Sequence, residues 1–136
     1  MCLYQILKTQ GILVTTVATK KCMITLKGNP LSTNSIYRAG KGFYYMTIKG
    51  KELKRDYQIQ AKQQWKKQPL TTQLSVAVDL FFGDKRKRDI DNYNKLIFDA
   101  LSGIVWVDDV QIEELVIKKG IDKSCPRIEI DIIEIE

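Results

Sequence analysis

The sequence predicts a single compact α/β domain of the mixed α+β kind, with one mixed β-sheet carrying two main helices. Three observations predict it. Runs rich in β-branched and aromatic residues recur at strand length, several with apolar residues at every second position. Two longer stretches of good helix formers, 51–68 and 89–101, interrupt those runs. The resulting order, ββαβαβββ, fits within 136 residues, enough for one domain to bury a core of its own.

Residues 1–22 read as an N-terminal extension, ahead of a domain spanning 23–136 and a candidate natural start at Met23. GILVTTVA (11–18) follows Lys8 much as a short secretory leader would. Lys20, Lys21 and Cys22 come next, where small cleavage-site residues belong, and this argues against a leader. MITLKG (23–28) alternates and reads as a strand. NPLSTNSIYRAGKG (29–42) is rich in turn formers and basic, hence a loop. FYYMTIK (43–49) is aromatic and β-branched, a second strand.

The helix over 51–68 places Leu53, Tyr57, Ile59 or Ala61, and Trp65 on one face, and Pro69 ends it. TTQLSVAVDLFF (71–82) is a strand with Leu74, Val76, Val78 and Leu80 on one side. Gly83 and Asp84 turn the chain into the cationic run Lys85–Arg86–Lys87–Arg88. A helix then runs from Asp89 or Asp91 to Leu101, and Gly103 stops it. IVWVDD (104–109) reads as a short strand entering a turn. Residues 111–120 and 126–136 read as two more strands, joined as a hairpin through 120–125.

Composition narrows the chemistry. A net charge of +6 favours anionic partners such as nucleic acid. The absence of histidine excludes Ser-His-Asp and Cys-His catalysis and His-ligated zinc. Cys2, Cys22 and Cys125 form no CxxC pair and read as reduced thiols of a cytosolic protein. No apolar run approaches the roughly 18 residues of a membrane span, so no membrane partner is expected.

The densest signal is KRKRDIDNYNK (85–95). At about 3.6 residues per turn, Asp91, Lys95 and Asp99 share one helical stripe. Tyr93, Leu96, Ile97, Ala100 and Leu101 cover the opposite face. Phe98 falls on the charged side. A neighbouring loop or a second copy would cover it there, the alternative being an apolar wall beside a metal. Asp89 sits at the helix entrance, and the strand 104–109 would return Asp108 and Asp109 beside it.

Two readings are open. Converging carboxylates suit a hard cation such as Mg²⁺, with Lys95 offsetting charge on a phosphate. Alternatively Asp89 caps the helix, Asp91–Lys95 is a surface pair, and Asp108–Asp109 is a turn.

RDIDNYNKLIFDAL followed by VWVDDVQI resembles the signature of the RusA-family Holliday junction resolvases, found in bacteria and their prophages. Those enzymes carry D-x-D-N-x-x-K at a helix start, then D-A-L, then a strand ending D-D and Q-[IV]. NPLSTNSIYR (29–38) is similar to the family's P-x-S-x-N-x-x-Y-R loop. The resemblance covers about residues 23–135, and these blocks in order are far more specific than a lone DxDN.

It implies a RusA-like fold and metal-binding acids at Asp89, Asp91 and Asp109. The essential lysine falls on Lys95, and Asp99 and Asp108 are supporting residues. It implies Mg²⁺ as cofactor, with Mn²⁺ as a substitute. It also implies a homodimer acting on four-way junction DNA in the cytoplasm, on the nucleoid. Its DNA contacts fall on Lys87 and Arg88.

Lys85, Arg86, Arg38, Lys41 and the basic face of the first helix extend the phosphate-binding surface. Tyr37, Tyr44 and Tyr45 either stack on bases or fill strand core, with core expected for two of them and Tyr37 the candidate for stacking. The expected function is a Mg²⁺-dependent endonuclease resolving Holliday junctions by paired nicks in recombination and repair. The alternatives are a nuclease for flaps or forks, and a non-catalytic junction-binding module.

Overall fold

The computed structural model describes residues 21–135. Strand β4 (Gln73–Phe82) organises it. Its sequence alternates strictly, so Leu74, Val76, Val78, Leu80 and Phe82 are all buried while their neighbours face the other way. Strand β6 (Arg127–Ile135) pairs with it antiparallel on one side and β5 (Ile112–Ile121) parallel on the other. β1 (Lys21–Lys27) pairs antiparallel with β6, giving the order β1-β6-β4-β5.

One face of this sheet is covered by helices. Ile24, Leu26, Ile128, Ile130 and Ile132 join the β4 residues there, each stabilising the fold by roughly 1.5–3 kcal/mol on leaving water. Helix α2 (Ile48–Gln64) adds Tyr57 and Ala61, with Trp65 at its end. Helix α3 (Asn94–Leu101) adds Leu96, Ile97, Ala100 and Leu101. The one-turn helix α1 (Thr33–Ile36) and the hairpin β2 (Tyr37–Gly40)–β3 (Phe43–Met46) stand outside the main sheet. The whole is one mixed α+β domain, as the sequence predicts.

Several expectations need correction. The expected strand 23–28 is β1 and starts two residues earlier, at Lys21; residues 1–20 lie outside the described part. The expected loop 29–42 holds α1 and β2, and the strand 43–49 shortens to β3. α2 starts earlier than expected because the Thr47 hydroxyl accepts the Gly50 amide at 3.1 Å and caps it. Gly50 suits that first turn, because a Cβ there would run into Ile36 and Met46. The helix also ends at Gln64, short of Pro69.

Residues 104–109 form no strand. They touch β structure only through bridges at Trp106, after a turn in which Gly103 has φ 87°. Their role is to bury Val105 and Trp106, and the Trp106 ring covers Phe98 edge-on at 5.9 Å. Phe98 is therefore covered by a neighbouring loop, as one of the expectations for it had it.

β5 and β6 do not form a hairpin, because β4 lies between them. The most apolar strand takes the centre, while charged β5 takes an edge. The linker instead crosses the end of β4, where the Asp122 amide donates to the Phe82 carbonyl at 2.8 Å. Arg127 then locks the crossing by pairing with Asp122 and Glu129, both at 2.7 Å, over the Phe81 ring.

The two sheet edges differ. β1 is closed by glutamine amides from α2. Gln64 accepts from the Thr25 amide at 2.8 Å and donates to its carbonyl at 2.7 Å, and Gln60 does likewise at Lys27. Among the described residues, no side chain closes β5 in this way, and Glu113, Glu114, Leu115, Val116, Lys118 and Lys119 are all exposed on it.

Candidate active site

The segment from Asn29 to Tyr37, the first residue of the hairpin, straps the acid-bearing part of the chain at three points. The Asn29 side chain accepts from the Gly83 amide at 3.0 Å. The Thr33 hydroxyl donates to the Asn92 carbonyl at 2.8 Å. The Tyr37 hydroxyl donates to Asp99 Oδ2, also at 2.8 Å. Segments over 50 residues apart in sequence are thereby held in register. Nothing in their composition announces this, since Asn, Thr and Tyr in a loop read as ordinary turn chemistry.

Asp89 and Asp91 lie on the 3₁₀ turn Ile90–Asn92 and are exposed, as Asp89 N-caps that turn without a side-chain bond. The expected helix thus starts at Asn94, one 3₁₀ turn later. Lys119 of β5 donates to the Arg88 carbonyl and pins the turn's entrance. Lys95 opens α3. Its Nζ lies 3.4 Å from Asp99 Oδ2 and 5.4 Å from the centre of the Tyr37 ring. Lys95, Asp99 and Tyr37 therefore form one cluster, and burial followed by the Asp99 hydrogen bond pushes the Tyr37 phenol well above its usual range.

Asp108 and Asp109 enter from the far side, on the 3₁₀ turn Asp109–Gln111. Asp108 caps it, accepting from the Val110 amide at 3.2 Å, while Gln111 accepts from the Asp108 amide at 2.9 Å. The Gln111 amide also donates to the carbonyls of Leu70 and Thr72, at 2.9 and 2.8 Å. Gln111 thus bolts the turn to the start of β4, a positioning role the sequence did not disclose.

A hydrogen bond from Asp108, then burial, then the charges of Asp108 and Asp99 raise the Asp109 carboxyl, with Lys95 opposing. Asp109, Asp108, Asp99 and Lys95 therefore share one electrostatic neighbourhood. Asp89 bears instead on Tyr93. Among the described residues no three acids stand close enough to cage a cation.

The cationic run divides. Arg86 and Arg88 both clasp Asp84, at 2.9 and 2.7 Å, and hold its carboxyl far below the usual range. Arg88 also stacks on Phe82 at 4.2 Å, and its side chain is only 16% exposed, so it shapes the turn. Arg86 stays 81% exposed, and Lys85 and Lys87 are exposed too. Arg38 and Lys41 are exposed on the hairpin. Cys22 and Cys125 are free thiols, and Cys2 lies outside the described residues. Among the described residues no helix is long and apolar enough to cross a membrane.

Exposed carboxylates, one lysine and a fringe of exposed cations on a strapped α+β frame are the groups a candidate site of this fold offers. Comparison with known proteins makes the class specific. The family model Endodeoxyribonuclease RusA matches residues 27–133, and this chain belongs to that family, an enzyme family of endonucleases. A relative from Enterobacteria phage HK97 is 31% identical over 109 residues, spanning 79% of this chain and 90% of its own. Relatives from Escherichia coli K12 and Enterobacteria phage 82 are 29% identical over 107 residues, 77% of this chain and 88% of theirs. All three are named crossover junction endodeoxyribonuclease RusA.

Proposed function

We propose that this chain is a Mg²⁺-dependent, structure-specific endonuclease that resolves Holliday junctions by paired symmetric nicks in DNA recombination and repair. The observation that carries the reading is the exposed acid set around α3 with Lys95 beside it, in a chain of net charge +6. The name its relatives carry supports the same substrate here. Such an enzyme works in the cytoplasm, on the nucleoid.

The donor set fits a hard cation: all oxygen, exposed, with no histidine. It is open rather than caged. That suits Mg²⁺, which takes one or two carboxylates and completes its shell with waters and substrate phosphate oxygens, and Mn²⁺ would substitute. Asp89, Asp91 and Asp109 are the candidate ligands, and one or two of them would hold the ion directly. When bound, it polarises the scissile phosphate and lowers the pKa of the attacking water.

The remaining work belongs to the chain. Lys95 offsets negative charge growing on the phosphorus oxygens. Asp99 and Tyr37 hold its ammonium near that position, and Asp108 fixes the turn that presents Asp109. Lys85, Lys87, Arg38 and Lys41 take flanking phosphates, and Arg86 adds to their field while clasping Asp84.

The test is a panel of four-way junctions, forks and flaps with Mg²⁺. Preferential cutting of the junction is expected. Equal cutting of forks would refute junction specificity. A junction gel shift with no product in Mg²⁺ or Mn²⁺ would identify a binding module.

Paired nicks need two sites, and the contrast between the sheet edges supports a homodimer through β5. Antiparallel pairing of β5 with its copy about Val116 sets Glu114 against Lys118, both ways, and brings Lys119 towards Glu113, the residue at the bulge where pairing with β4 steps from Ile112 to Glu114. Leu115 meets Ile117 at the centre. Such an edge is complementary to itself in charge and apolar in the middle, and it extends the sheet through main-chain hydrogen bonds.

A further inference from the structure

Apart from β5, the hairpin β2–β3 makes the most conspicuous apolar exposure, and no step above uses its aromatics Phe43, Tyr44 and Tyr45. Phe43 is 58% exposed, Tyr44 81% and Tyr45 49%. The core role expected for two of the tyrosines is therefore excluded for Tyr44 and Tyr45. Isolated exposed apolar residues need no explanation, but three consecutive aromatics on a projecting arm do.

The register shows how they are presented. Tyr37 faces Met46, Arg38 faces Tyr45, Ala39 faces Tyr44 and Gly40 faces Phe43. Alternation puts Tyr44 on the same face as Tyr37, whose hydroxyl bonds Asp99. Tyr44 thus stands on the acid-facing side, two residues or about 7 Å further out. The opposite face carries Arg38 beside the Phe43 and Tyr45 rings, packed 5.9 Å apart. Gly40 permits this, since a Cβ there would lie 2.6 Å from the Phe43 ring.

The foot of the arm is fixed by the Tyr37–Asp99 bond, and by the Thr47 amide donating to the Ile36 carbonyl at 2.7 Å. The segment itself carries one sign of charge: residues 28–51 contain Arg38, Lys41, Lys49 and Lys51 and not one acid. An exposed aromatic among cations, beside a phosphate-handling site, has the chemistry of a stacking platform for single-stranded nucleic acid.

Resting on the DNA-cleaving reading above, we propose that Tyr44 receives an unstacked nucleobase from the open branch point, with Lys41 at the tip of the arm on an adjoining phosphate. Because every base has a π-face, this contact would favour open structure without selecting sequence.

The test compares a thymidine oligonucleotide with an abasic strand of equal length, by fluorescence anisotropy in EDTA so that nothing is cut. Wild type is expected to favour the base-bearing strand by about 5- to 150-fold. Tyr44→Ala should lose that preference while binding the abasic strand as wild type does, and Tyr44→Trp should retain it. An undiminished preference in Tyr44→Ala would overturn the proposal. So would a changed sedimentation coefficient in that variant, which would mark the hairpin as a protein contact. If wild type binds neither strand nor a four-way junction, the DNA-cleaving reading falls as well. If it cuts junctions yet shows no base preference, only the stacking site falls.

Discussion

Removal of the Tyr37 hydroxyl tests the strap that holds Lys95. In Tyr37→Phe the ring stays over the ammonium, but Asp99 Oδ2 loses its 2.8 Å donor. A hydrogen bond to a charged group is worth about 1.5–3 kcal/mol. Asp99 keeps 30% of its side chain in water and retains Lys95 at 3.4 Å, so solvent screening brings the value to the bottom of that range or just below it, about 1–2 kcal/mol. Asp99→Ala, which removes the acceptor, should cost at least as much, and the double variant should cost little more than Asp99→Ala alone. The cycle is measured by urea unfolding at pH 7, with a coupling of about 1 kcal/mol expected.

The variant also has a pH signature. The folded-state phenol is raised above its usual value. Its stabilising effect is therefore present below about pH 10 and lost as pH rises further. Tyr37→Phe should show less of that alkaline loss. Additive single effects within about 0.3–0.5 kcal/mol, or an unchanged alkaline limb, would refute the strap.

Three further outcomes are expected. Asp109→Asn should raise the melting temperature at pH 7, because it removes a carboxylate whose charged form its neighbours disfavour; the gain should vanish near pH 3, where both side chains are neutral, and cleavage should be lost. On β5, Glu113→Lys/Glu114→Lys and Lys118→Glu/Lys119→Glu should each be monomeric by sedimentation yet form a heterodimer when mixed; failure to pair would exclude the register about Val116. Trp106→Ala should cost about 3–5 kcal/mol in denaturant unfolding, since the buried ring packs on Phe98 and its indole donates to Ser102 at 3.0 Å; a loss under 1 kcal/mol would contradict its core role.

What was legible in the sequence was periodic. Leu74 to Phe82 alternates so strictly that its burial could be read directly, and the apolar face of α3 followed from its spacing. What was not legible depends on long-range partners. β5 and β6 looked like a hairpin because they are neighbours in sequence, but the competition for the sheet centre went to the more apolar β4. Aromatic Phe43–Met46 read as core strand because propensity does not report which strand is left without a partner layer. The candidate acids and Lys95 were legible as a cluster of residue types. Their supports Asn29, Thr33 and Gln111 were not, since a single hydrogen bond leaves no periodic trace. Nor was the clasp on Asp84, which takes two cations of the KRKR run into the turn.

The most direct measurement uses a symmetric mobile four-way junction, with nick positions mapped on all strands for wild type and Asp91→Asn. With Mg²⁺, wild type should produce nicks at symmetry-related positions on opposing strands, and none in EDTA. Asp91→Asn should shift the same junction in a gel without cutting it. Paired nicks that persist in Asp91→Asn, or that form in EDTA, would contradict metal-supported hydrolysis by these carboxylates.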